Sequence, residues 1–127
     1  MYKEKYINLI NAWGEDEEAV DLIQSTVSAF PGYVAAVYEM ETKLPYLSRH
    51  VKGEEYKERY SALDQERSRR HEAAISGVKT LNRLAEQAGV EPLFTGDPGD
   101  RLQVAAFCIA MVDEIFQKRV GVPQNEE

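Results

Sequence analysis

The chain has 127 residues, 43% of them hydrophobic and 29% charged, with a formal net charge of -7. That is one domain's worth of chain, 1–127, with enough apolar content for a proper core. The acidic balance disfavours nucleic acid as a partner, because it repels phosphate backbones.

Cys108 is the only cysteine, which excludes an intramolecular disulfide and a cysteine-based zinc site within one chain. The opening "MYKEKYINLINAWGE" has no apolar h-region, and no window approaches the roughly 18 apolar residues of a membrane span. The expectation is a cytoplasmic protein with no membrane partner and no cofactor or metal.

In chain order, Tyr6, Ile10 and Trp13 stand at helical spacing before Gly14. "EDEE" then suits a helix N-terminus, and Val20, Ile23, Val27 and Phe30 share one face. These two segments are either separate or one bent helix. "PG" at 31–32 is a break. Tyr33, Val37, Met40 and Leu44 form the next helical stripe, with a strand as runner-up, and Pro45 is expected to end it. Residues 45–53 are left as a helical turn or a loop.

From Glu54 to Ala88 only Gly77 interrupts a helix, giving a rod of roughly 50 Å against about 35 Å for a compact sphere of this length. Gly89 sits where a helix C-cap belongs. Asp97 and Pro98 read as the N-cap and first residue of a last helix, which runs to about Lys118–Arg119. "PQNEE" is expected to be a short disordered C-terminal tail. The fold class is all-α: an elongated helical bundle of four or five helices with one long central helix, about 54–88.

On the long helix Tyr56, Tyr60, Leu63, Ala74, Val78, Leu81 and Ala85 fall within a narrow arc, and Arg67, Arg70 and His71 interrupt it. An unpaired buried Arg costs several kcal/mol, so this gap needs a partner or solvent. The last helix has two apolar sides. One carries Leu102, Ala106, Ile109, Phe116 and Val120 with Asp113 among them; the other carries Val104, Cys108, Met111 and Ile115. An antiparallel hairpin of the two helices sets Asp113 level with residue 73, so Arg70–Asp113 or His71–Asp113 is the preferred pair. Glu41 is the expected partner of Arg67. The gap is a structural layer, an exposed overhang or a ligand site, and the sequence leaves all three open.

Several motifs fail. "LAEQAGVEPLF" resembles a helix-turn-helix turn, but "EPLFTGDPGD" offers no base-reading side chain. The Glu-x-x-His pattern of di-metal bundles is absent, and Glu55 with Glu58 is not followed by Glu-x-x-Asp. "TGDPGD" is acidic and explained by capping rather than by phosphate.

The blocks "RHEAAISGVKTLNRLAEQAGVEPLFTGD" and "VAAFCIAMVDEIFQKR" resemble a family of small uncharacterised proteins of Gram-positive bacteria, a domain of unknown function. The resemblance implies a bacterial, soluble, helical protein and brings no catalytic residue. The leading functional reading is a non-enzymatic interaction or regulatory protein acting as a homodimer. It rests on the overlong helix, the doubly apolar last helix and the lack of a complete catalytic set. The alternative is a small-molecule site, possibly enzymatic, for a phosphate- or carboxylate-bearing ligand at Arg67, Arg70, His71 and Asp113 with Glu41 nearby.

Overall fold

A computed structural model describes residues 1–116, and the expected helix end at 118–119 and the tail lie outside them. Among the described residues the chain is all-α, with five helices: α1 Tyr2–Ala12, α2 Glu17–Ser28, α3 Phe30–His50, α4 Gly53–Ala88 and α5 Arg101–Phe116. Among the described residues no helix is long and apolar enough to cross a membrane.

The first two helices are separate. The Trp13 and Gly14 amides turn back onto Ile10 and Asn11 carbonyls, and Asp16 starts α2 by accepting from the Ala19 amide at 3.1 Å, the N-cap bond that satisfies an orphan donor. Trp13 Nε1 donates to the Leu84 carbonyl at 3.1 Å, which pins the end of α1 to the end of α4.

Two expectations about proline are corrected. The α2–α3 break falls at Ala29, and Pro31 opens α3 rather than ending α2, as suits a residue with no amide proton. Pro45 does not end α3, which runs on to His50. The missing amide falls on an exposed stretch where water can serve the freed carbonyl, while Leu47, one turn on, is buried.

Only Val51 and Lys52 link α3 to α4, and Gly53 supplies the left-handed φ of 68° that so tight a reversal uses. The 36 residues of α4 span about 54 Å. Its buried residues all lie from His71 onward. The first half is therefore an arm packed against the second half of α3, with Met40 and Leu47 as its buried contacts. Gly77 lets α2 come close, since a Cβ there would stand 2.8 Å from the Thr26 methyl. Gly89, at φ 73°, caps the other end, with the Val90 amide reaching back to Ala85, a Schellman-type closure.

The loop after α4 is part of the core. Leu93 and Phe94 are buried, and Asn82 Nδ2 holds the Phe94 carbonyl at 3.0 Å. Asp97 makes a turn, and the N-cap of α5 is Asp100, which accepts from the Leu102 and Gln103 amides. The helix thus starts three residues later than its first proline suggests. Phe107 centres an aromatic cluster, with ring centroids 5.2 Å from Tyr2, 6.0 Å from Phe30 and 5.1 Å from Phe94. Burying one such ring contributes about 1.5–3 kcal/mol.

Candidate functional site

His71 is the one buried charged or polar side chain among the described residues, at 1% exposure. It sits where the arm meets the core, one turn before Ala74 begins the apolar stripe of α4. Tyr33, on α3, faces it with its hydroxyl 3.0 Å from Nδ1. Tyr33 is itself buried and no other hydrogen-bond partner is found for its hydroxyl. With the hydroxyl donating to Nδ1, the neutral ring carries its own proton on Nε2, the assignment that leaves the fewest groups unpaired. That Nε2 is buried and has no partner. Burial pushes the His71 ring below the usual histidine value; Arg101 and Arg67 add to the shift and Glu72 opposes it.

A cavity of about 290 Å³ opens beside this ring, walled by α3, α4 and the first turn of α5. Its polar groups are Tyr33, Glu41, Tyr60, Asp64, Arg67, His71 and Arg101, and Val37, Met40, Leu44, Leu102 and Ala105 supply the apolar wall. Arg67 Nη2 is held by Asp64 at 2.9 Å. Arg101 makes no ion pair among the described residues.

The expected polar cluster is thus only partly assembled. His71, Arg67 and Glu41 share the cavity, but Arg67 takes its acid from its own helix and makes no ion pair with Glu41. Arg70 turns the other way. It pairs with Glu66 at 2.7 Å, covers Gly32 so closely that a Cβ there would collide with its guanidinium, and lines a second cavity of about 350 Å³ beside α2.

Asp113 is exposed and meets neither His71 nor Arg70. The expected hairpin register fails because the 89–100 loop folds back along α4 before α5 begins. The first turn of α5, not its last, therefore lies at His71. Arg101 and Tyr33 are the members that the sequence reading missed. Tyr33 was counted as apolar stripe, and Arg101 was hidden by the wrong register.

Of the two apolar sides of α5, one is buried and the other is not. Val104, Cys108 and Met111 are buried, while Leu102, Ile109 and Phe116 are 82%, 43% and 39% exposed. Near Leu102 the arm adds Tyr60, 39% exposed. On the arm's other side Tyr46, Leu47, Ala62 and Leu63 edge an open groove of about 480 Å³. Among the described residues no three His, Cys, Asp or Glu side chains converge to hold a metal ion.

These features define an all-helical domain with a polar cleft and an uncovered apolar helix face. A family model described as protein of unknown function, DUF3232, matches residues 1–120, and the chain belongs to that family. No curated protein and no solved structure matches it.

Proposed function

We propose that this protein is a non-enzymatic interaction module that works as a homodimer, paired through the outer face of α5. The observation that carries the reading is the exposure of Leu102, Ile109 and Phe116. They recur at heptad spacing and form a straight seam about 21 Å long on a helix. Isolated exposed apolar residues need no explanation, whereas a row of them on one helix, here interrupted only by the exposed Asp113, marks a contact surface.

The seam is self-complementary. In an antiparallel pair related by a two-fold axis through Ile109, Leu102 of each chain packs on Phe116 of the other and Ile109 packs on itself. Such an isologous contact is the commonest form of homodimer. Three side chains fall short of the roughly 800 Å² per partner of a standard interface. The exposed Tyr60 and Ala106 extend the patch. A bacterial, cytoplasmic setting is part of this reading, and the single thiol fits it: Cys108 is buried and its pKa is pushed up to about 12.

The test is Ile109→Cys under mild oxidation. A residue on the two-fold axis meets its own copy and cross-links efficiently to a species of twice the chain mass. Ile7→Cys, equally exposed on α1, should not. Equal, slow cross-linking of both variants would contradict the α5 interface.

A further inference from the structure

The cleft at His71 borders the α5 seam, sharing Leu102 and Tyr60 with it, and the chemistry of its polar lining specifies a ligand. The buried Nε2, protonated when Tyr33 donates to Nδ1, has no acceptor among the described residues. A buried donor left unpaired is costly, so the site calls for an acceptor. Exposed Arg101 has no carboxylate partner among the described residues, and Arg67 lines the same cavity. Two guanidiniums lining one space beside the His71 ring recognise an anion.

The opposite wall is hydrocarbon, chiefly Met40 and Leu44. A free inorganic ion would leave that surface wet, so the ligand has an apolar body. Its charge is single rather than double, because Glu41 and Asp64 share the wall and repel a second negative charge. We infer that this cleft binds a small monocarboxylate with a compact apolar body, the carboxylate at His71 and Arg101 and the body on the α3 wall. About 290 Å³ of cavity lies at the small end of ligand pockets, which excludes a nucleotide or a long acyl chain. All of the lining residues come from one chain, and Leu102 and Tyr60 are shared with the α5 seam.

The experiment is titration with hexanoate, phenylacetate and phenylpropionate, followed by thermal unfolding and by the NMR signals of the His71 ring. Hexanol and phenyl phosphate serve as the uncharged and doubly charged controls. Arg101 is exposed, so Arg101→Gln leaves the fold intact and isolates the charge contact. The expected result is a higher Tm and a shifted His71 ring signal with at least one monocarboxylate at millimolar concentration. Arg101→Gln should then raise its Kd about tenfold or more, as loss of a charged hydrogen bond does.

Four outcomes would each overturn the inference. They are no response to any monocarboxylate, an equal response to hexanol, tighter binding of phenyl phosphate, and an unchanged Kd in Arg101→Gln.

Discussion

The Tyr33 hydroxyl lies 3.0 Å from Nδ1 of His71, and both side chains are buried between α3 and α4. This is the only side-chain hydrogen bond linking these two helices among the described residues, and it divides the arm from the core. Toward the core α4 is apolar and buried, whereas toward the arm it is half-buried at best. Removing one partner strands the other in a dry site at a cost of about 1–3 kcal/mol, while removing both with shape kept is nearly neutral. Tyr33→Phe should therefore lower the urea unfolding free energy by that amount, and His71→Leu by less, because it also removes the unpartnered Nε2. The double variant should recover to near the parent. Additive losses would mean that the two side chains act independently.

The same histidine sets a pH dependence. Its folded pKa lies below the 6.5 of a free ring, so the unfolded chain takes up the proton first. Stability is then complete above pH 6.5 and is lost as pH falls from there toward the folded value. The groups facing the ring are Tyr33 and Glu41 from α3, Asp64, Arg67 and Glu72 from α4, and Arg101 from α5. The two arginines oppose a charged ring. Glu66 and Glu114, held below the usual carboxylate value by hydrogen bonds, lose their contribution only at more acid pH. Unfolding curves of the parent should weaken as pH falls below 6.5, and those of His71→Leu should not show this step.

Arg67 and Arg70 were grouped because a helical wheel places both in the same polar gap of α4. The wheel is correct about α4 and silent about its neighbours. α2 covers one flank and α5 the other, so the two guanidiniums enter different clefts and each takes an acid from its own helix. Side chains one turn apart on an exposed helix find each other without tertiary help. A bundle of four or five helices was legible because apolar spacing and the Gly89 cap are local signals. Three features were not legible. Pro45 is tolerated because its stretch of α3 is exposed. The α5 cap moved to Asp100 because Leu93 and Phe94 dock into the core. The register at His71 depends on that docking.

Arg67→Met separates a structural layer from a binding site. The Arg67–Asp64 pair is partly exposed, at 26% and 40% for the two side chains, and such pairs contribute about 0–1 kcal/mol. The variant should change the unfolding free energy by less than about 1 kcal/mol yet weaken monocarboxylate binding. A loss near 3 kcal/mol, the size expected for a broken buried pair, would instead mark the layer as structural.

Glycines 77 and 32 both lie under a neighbour, and they should respond differently. At Gly77 an added methyl meets the Thr26 methyl at 2.8 Å and Phe30 at 3.6 Å, and both belong to the α2–α3 packing. Overpacking of about 1–3 kcal/mol then outweighs the roughly 1 kcal/mol that alanine adds to a helix. Gly77→Ala is therefore destabilised. At Gly32 the methyl meets only the end of the Arg70 side chain, which swings aside. Gly32→Ala should be neutral or slightly more stable by thermal unfolding.

The measurement that bears most directly on the account is the molar mass in solution by sedimentation equilibrium, for the parent and for Ile109→Glu. A parent of twice 14.4 kDa at micromolar concentration, with a folded single-chain Ile109→Glu, is what pairing through α5 predicts. A parent of one chain's mass across that range, or a dimer indifferent to Ile109→Glu, would contradict it.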